Sequence, residues 1–328
     1  MKWLVVASFA ESILVFRGPL IEAMQERGAM VHVAAPDLLH GGRVFEKLEG
    51  MGVIAHNIPL SRAGTNPLSD LAFIWHLFIL ARRVRPDSFF GYTVKPVLYG
   101  SISAWLARVP KRYALVTGLG FAFTNGRAGI VPSLVRFLYR VSLSVVDKVF
   151  FQNPDDQALF REAGILAEGR PSVVVNGSGV DLSEYPATPL AVGCPRFLMI
   201  ARLLCDKGVR EYVNAARRVR KCCPDAWFGL VGWVDENPDA IAQAELDSWV
   251  SEGDIEFLGR LEDVRPAISK CTVYVLPSYR EGTPRTVLEA MALGRPIITT
   301  DAPGCKETVI DGENGFLVPV KSVCLLYT

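Results

Sequence analysis

Two glutamates and two cations carry the chemistry this sequence offers. Glu281 lies in a polar loop over residues 277–282, and Glu289 follows eight residues later. The apolar, β-branched run at 271–276 reads as a buried parallel strand and 297–300 as the next strand. Between them, Thr283 reads as a helix N-cap, Pro284 as the first helical residue and Gly294 as the left-handed stop. The polar loop therefore sits at a strand's carboxyl end, the edge where open α/β sheets bind ligands. The helix amino end offers N–H groups and a positive dipole, a setting for a diphosphate. An acid on each side would grip hydroxyls flanking that diphosphate, a ribose on one side and a sugar on the other. Taken alone, two glutamates at this spacing read rather as a capping acid, Glu281, and a solvated helix acid, Glu289.

Arg202 and Lys207 change that balance. They occupy the loop after a predicted strand at 196–201, and the carboxyl-edge rule turns them toward the same edge as Glu281. Two cations beside a helix amino end neutralise a diphosphate without a metal. The chain contains no D-x-D, so the usual carboxylate grip on a divalent ion is missing from the sequence. Neither a metal nor a cofactor is expected.

The elements that must position these residues alternate along the chain. A strand at 3–7, a loop at 9–16, a helix opened by Arg17-Gly18-Pro19 and closed by Gly28, and a strand at 30–35 form a βαβ opening without G-x-G-x-x-G. Strands at 53–58, 88–91, 112–116, 148–151 and 172–176 follow, separated by helices at 69–84, 97–107, 131–145 and 154–163. Thr117-Gly118-Leu119-Gly120 begins a glycine-bearing loop that suits either close approach to a ligand or a plain tight turn. Glycines and prolines between 177 and 189 mark a linker, after which a second α/β series begins. The expected fold is α/β, with two Rossmann-like domains facing a cleft: 1–180, a linker at 181–192, and 193–328.

The chain has 328 residues, is 50% hydrophobic and carries net charge +1, which gives no support for a nucleic-acid partner. Residues 1–125 carry a net +5 and residues 186–328 a net −3. A basic first half points to an anionic partner such as a membrane surface or a lipid phosphate, or is ordinary surface variation. The helix at 131–145 places Arg136 and Arg140 among Leu, Phe and Tyr, so it is either interfacial or a core helix with snorkelling arginines. All seven cysteines fall after residue 193 with no C-x-x-C pair, which fits a reducing cytosol. The apolar stretch at 71–81 contains His76 and is too short to cross a bilayer. The expected location is cytoplasmic, peripheral on the inner face of the cell membrane.

The set Arg202…Lys207-Gly208, Phe257-Leu258-Gly259, Pro277-Ser278…Glu281-Gly282…Glu289-Ala290…Gly294-Arg295-Pro296 and Asn314-Gly315 resembles the family 4 retaining glycosyltransferases of the two-Rossmann (GT-B) fold. Phe16-Arg17-Gly18-Pro19, Tyr92-Thr93-Val94-Lys95-Pro96, Thr117-Gly118-Leu119-Gly120 and Asn176-Gly177-Ser178-Gly179-Val180-Asp181 are similar to the bacterial branch that adds N-acetylhexosamine to lipid-linked oligosaccharides. The resemblance implies a hexosyltransferase of cell-surface polysaccharide or glycan biosynthesis, with a UDP-sugar as donor and a polyprenyl-diphosphate-linked saccharide as acceptor. It implies that Glu281 holds the donor sugar and Glu289 the ribose. Arg202 and Lys207 would hold the diphosphate as UDP leaves, with the backbone N–H groups of Thr286 and Val287 assisting and Gly18 approaching from the first domain. Tyr92, Lys95, Thr117 and Gly118 fall on the acceptor side.

Three departures from the family pattern stand out. Arg17-Gly18-Pro19 replaces a glycine pair, none of the four histidines lies in 117–124, and the chain stops at Thr328 where relatives continue through further helices. The last departure implies a truncated carboxyl end. Two alternatives stay open: a nucleotide-sugar epimerase of the same fold, or a truncated, inactive nucleotide-binding remnant.

Overall fold

The computed structural model describes residues 1–60, 67–118, 130–235, 237 and 239–323. The chain divides into two units, Met1–Ser178 and Gly179–Thr328. In unit 1 the strands are β1 (Lys2–Val6), β2 (Met30–Ala35), β3 (Ile54–Asn57), β4 (Ser88–Tyr92), β5 (Lys111–Val116), β6 (Lys148–Phe151) and β7 (Ser172–Val174). They form one parallel sheet in the order β3-β2-β1-β4-β5-β6-β7. The connecting helices are α1 (Glu11–Glu26), α2 (Arg43–Gly50), α3 (Pro67–Val84), α4 (Ser101–Leu106), α5 (Ile130–Ser144) and α6 (Pro154–Glu162).

Side chains alternate across this sheet with the two-residue strand period. Leu4, Val6 and Phe89 pack with Phe73, Leu77 and Ala81 of α3. Val5, Ala7, Phe90 and Leu115 face the other way, toward Ile13 and Ile21 of α1. With both faces covered, the central strands read as continuous apolar runs. Asn153 caps α6 by accepting from the Asp156 N–H at 2.7 Å, as the Asn-Pro pair implies.

Unit 2 is wound the same way. It holds β8 (Arg196–Ile200), α7 (Val209–Cys222), β9 (Trp227–Val231), α8 (Gln243–Ser251), β10 (Glu256–Phe257) and α9 (Arg265–Lys270). Then come β11 (Val273–Leu276), α10 (Arg285–Ala292), β12 (Ile297–Thr300) and β13 (Gly315–Val318). Its parallel sheet runs β10-β9-β8-β11-β12-β13 around one core. The two doubly wound α/β units agree with the expected fold class. The segment 181–192, read from sequence as linker, is bonded to unit 2. The buried Arg295 guanidinium donates to the carbonyls of Thr188 (2.6 Å) and Pro189 (3.2 Å), and Thr188 N–H donates to Leu293 O.

Three elements differ from the sequence reading. Helix α1 begins at Glu11, not at Arg17, and runs through Gly18 and Pro19. Ser12, Ile13, Arg17 and Ile21 are all buried along one side, and that burial outweighs the local Gly-Pro break signal. The helix expected at 97–107 starts instead as a π-turn over Pro96–Gly100. Gly91 and Gly100 let it close on β4, for a Cβ at either would lie 2.9 Å from the Phe89 ring. Finally, α10 starts one residue later than the Thr-Pro signal. Pro284 is the N-cap, its φ of −72° combined with an extended ψ of 108°, because the ring restricts φ and leaves ψ free.

His32 and His56, on neighbouring strands, stack with ring centroids 5.2 Å apart and share a hydrogen bond, Nδ1 to Nε2, of 2.9 Å. Burial, then the facing His32 and the Arg83 charge, pull His56 down to about 4. Burial and the Lys2 charge lower His32 as well. Folding thus holds both rings neutral, while the unfolded chain takes up protons below the ordinary value of 6.5. The pair's contribution to stability is present above pH 6.5 and is lost as pH falls toward about 4. Urea midpoints measured from pH 7 to pH 4.5 should decline less steeply in His32→Asn/His56→Asn than in the parent.

Candidate active site

The strand order of unit 2 reverses between β8 and β11. Chain connections leave these two strands in opposite directions, so their carboxyl-end loops part and open a crevice. The loop after β8 carries Arg202 and Lys207, and the loop after β11 carries Ser278 and Glu281. Lys207 Nζ lies 2.6 Å from Glu281 Oε1, with the two side chains 13% and 17% exposed. The Ser278 hydroxyl donates to the same oxygen at 2.8 Å.

Two glycines make this meeting possible. Gly208 ends a 3-10 turn in the left-handed conformation (φ 72°), and a Cβ there would sit 2.2 Å from the Pro277 carbonyl oxygen. Gly304 (φ 83°) lies just beyond β12, where a Cβ would sit 2.1 Å from the Glu281 carbonyl oxygen. Backbone bonds complete the brace: Tyr279 N–H donates to Asp206 O at 2.8 Å, and Glu281 N–H to Pro303 O at 2.9 Å. Glu281 is therefore gripped through its backbone from the β12 side and through its carboxylate from the β8 side.

The two cations read as a pair hold different acids. Arg202 reaches Asp235 Oδ2 at 3.2 Å beyond β9, while Lys207 holds Glu281. Burial raises the Asp206 carboxyl above the usual range, with Glu281 and Asp239 adding to the rise and Lys207 and Arg202 opposing it. The Cys305 thiol stands 4.0 Å from Ser278 O; burial, with Glu281 next, pushes it up to about 12, so it is protonated and no nucleophile.

Glu289 is not the solvated helix acid of the alternative reading. It is 6% exposed, and its Oε1 accepts from Arg285 Nε at 2.8 Å and from the Tyr185 hydroxyl at 3.0 Å. Thr286 is the second residue of α10, where the helix pattern supplies no acceptor for the N–H. Val287 departs from expectation: its N–H turns back to Pro284 O at 3.1 Å and its side chain is core, so that donor is already spent.

In unit 1, Gly18 sits on α1, and a Cβ there would meet no atom within 4 Å. Tyr92, read from sequence as acceptor-side, is instead a core residue, 1% exposed. Its hydroxyl bonds Ser12 Oγ at 2.9 Å, and the Arg17 guanidinium stands 4.9 Å from its ring centroid. The last residue of a buried strand must point into one face or the other, and Tyr92 takes the α1 side. Lys95 pairs with Asp70 at 2.7 Å, and the Tyr99 hydroxyl donates to the other Asp70 oxygen at 2.9 Å. Thr117 and Gly118 (φ 143°) follow β5, half-buried, and Leu119 to Phe123 lie outside the described residues. Among the described residues no cluster of three metal-ligating side chains occurs.

Sequence reasoning named Ser278 only within the family motif and missed Asp235, Tyr185, Arg285 and Gly304 as members of this arrangement. Only the Pro303-Gly304 dipeptide carried a local signal, that of a turn after a strand. Gly304→Ala should strain the left-handed backbone and push Glu281 out of place. The expected outcome is a fall in turnover of about 100-fold, the scale of a 1 Å misplacement, with a lower melting temperature, read by steady-state assay and thermal melts.

The chain is similar to known glycosyltransferases over both units. A model described as glycosyl transferases group 1 matches residues 194–326, and one described as a glycosyl transferase 4-like domain matches residues 15–177. A Campylobacter jejuni N,N'-diacetylbacillosaminyl-diphospho-undecaprenol alpha-1,3-N-acetylgalactosaminyltransferase is 31% identical, over 95% of this chain and 83% of its own length. An Escherichia coli UDP-Gal:alpha-D-GlcNAc-diphosphoundecaprenol alpha-1,3-galactosyltransferase is 25% identical, over 83% and 72%. Among solved structures, Anabaena HepE in complex with UDP-glucose superposes with a TM-score of 0.75 at 20% identity, covering 100% of this chain and 88% of that one, a likeness of fold.

Proposed function

The chain belongs to the group 1, family 4-like glycosyltransferases of the GT-B fold, and from that membership we propose that it moves an N-acetylhexosamine from a UDP-sugar to a saccharide on a polyprenyl diphosphate, with retention of configuration. The acceptor class follows from the relatives whose names carry a diphospho-undecaprenol saccharide. The observation that carries the site assignment is the Lys207–Glu281 pair at the reversal point of the unit 2 sheet.

In this reading the donor diphosphate lies between the β8 loop and the amino end of α10. Negative charge builds on it as the glycosidic bond breaks. Arg202, Lys207 and the Thr286 N–H meet that charge with donors already in position, which lowers the barrier without reorganisation. Glu281 keeps Lys207 oriented and presents a carboxylate to hydroxyls of the donor sugar. Glu289, braced by Arg285 and Tyr185, accepts from the ribose. The acceptor hydroxyl attacks the face the diphosphate leaves, and a departing phosphate oxygen takes its proton. Gly18, which the resemblance assigns to the donor, is a buried residue of α1 in unit 1. Lys95, Thr117 and Gly118, at the carboxyl edge of the unit 1 sheet, serve the acceptor. Tyr92 supports that edge from within the core.

The enzyme works in the cytoplasm, peripheral on the inner face of the cell membrane, where a polyprenyl-linked acceptor is presented. Among the described residues no helix is long and apolar enough to cross a membrane. Net +5 on residues 1–125 favours an anionic surface.

Transfer is measured by mass after incubation with UDP-N-acetylhexosamines and a polyprenyl-diphosphate saccharide. Glu281→Gln, which keeps an acceptor for Lys207 and removes the charge, should lower kcat/KM about 100-fold or more with the melting temperature little changed; a parent-like rate would sink the assignment. Activity should also survive excess EDTA, and loss on chelation that magnesium or manganese restores would overturn the metal-independent reading.

A further inference from the structure

Helix α3 carries Leu71, Trp75 and Ile79 one turn apart on one row, and all three are exposed, Trp75 by 58%. The next position on that row is Arg83, also exposed, with Arg82 beside it. The opposite side of α3 buries Phe73, Leu77 and Ala81 against the sheet, so the outer row is not needed for the core. Helix α4 packs beside α3 and exposes Trp105 and Leu106; α5 packs beside α4 and exposes Leu134 and Phe137, the latter by 60%. One helical layer of unit 1 thus shows large apolar side chains on three neighbouring helices. An apolar surface of that breadth marks an interaction site.

Charge decides the partner. The three helices carry Arg82, Arg83, Arg136 and Arg140 against a single acid, Asp70, which Lys95 and Tyr99 already engage. A second copy docked by the same face would set arginine against arginine. An anionic lipid surface satisfies both parts at once. Tryptophan and leucine enter the acyl boundary, and the arginines extend their stems along it while their guanidinium groups meet lipid phosphates. Helix α3, 18 residues and about 27 Å long, would lie in the plane of the interface, with no segment crossing.

We propose that the outer face of α3, α4 and α5 is a docking surface for an anionic lipid bilayer. This deepens the reaction proposed above by naming the surface that meets the lipid carrying the acceptor. Helix α3 runs antiparallel to the strands, so its amino end, with Asp70 bound to Lys95, stands at the carboxyl edge of the unit 1 sheet. A bilayer on this face would deliver its headgroups beside Lys95. The basic first half read from sequence and the helix at 131–145 become parts of one surface, with α3 as its ridge.

The test uses the full chain and sedimentation with vesicles of phosphatidylglycerol and phosphatidylcholine, against vesicles of phosphatidylcholine alone. The parent should bind the anionic vesicles, more weakly as salt rises, and brominated lipid should quench fluorescence that Trp75→Phe removes. Leu71→Glu/Trp75→Glu and, separately, Arg82→Glu/Arg83→Glu should each lower the partition coefficient more than tenfold with unchanged melting temperature. Both should keep parent-like transfer to a short-chain, water-soluble acceptor and lose it toward an acceptor embedded in vesicles. Parent-like vesicle binding by either variant, or no binding by the parent, overturns the proposal. So does light scattering that shows a dimer broken by Leu71→Glu/Trp75→Glu without vesicle binding. If instead the parent fails on the soluble acceptor, the reaction reading falls, and vesicle binding still judges the surface by itself.

Discussion

The Lys207–Glu281 contact is where the two halves of the unit 2 sheet are joined at their carboxyl edge, and the surrounding loops are shaped to permit it. A largely buried ion pair is a weak source of stability, because desolvation of both charges offsets much of their attraction. Its value lies in fixed position. A lysine that is already desolvated and oriented needs no rearrangement when charge develops on a leaving group. The chain supplies that order through backbone close approaches at Gly208 and Gly304, each leaving no room for a Cβ. Two glycines, 96 positions apart, thus serve one carboxylate.

Glu289 shows the same economy with different means. Its carboxylate is nearly inaccessible, yet two donors converge on one oxygen, one from the preceding helical turn and one from the segment after the first unit. Tyr185 is bound to Glu289, and the buried Arg295 needs the carbonyls of Thr188 and Pro189. A stretch rich in glycine and proline is thereby held against unit 2 by two buried polar groups that need partners.

Unit 1 separates buried rows from exposed ones. The sheet's inner positions are satisfied by α1 on one side and by the buried rows of α3, α4 and α5 on the other. That leaves outer rows whose apolar residues contribute nothing to the core. The carboxyl edge carries polar groups held by local bonds, such as Lys95 with Asp70 and Ser8 with Thr93 at 2.7 Å. The polar carboxyl edge and the exposed apolar rows therefore use different side chains of unit 1.

The sequence by itself determined the parts of this protein that depend on short-range rules. Strand and helix alternation, the Asn153 cap, the stop at Gly294 and the placement of Arg202, Lys207 and Glu281 after strands all follow from periodicity and terminal signals within a few residues. What only the tertiary structure decided lies between residues far apart. The partner of Arg202 is Asp235 and the brace on Glu281 is Pro303-Gly304, because strand order, unseen by any local pattern, sets which loops become neighbours. The same cause lets α1 run through Gly18-Pro19 and turns Tyr92 into the core, where burial against a neighbouring element outweighs the local preference. Which row of α3 stays outside was equally undecided in sequence, since its apolar residues surround the helix and only packing against the sheet chose the buried row.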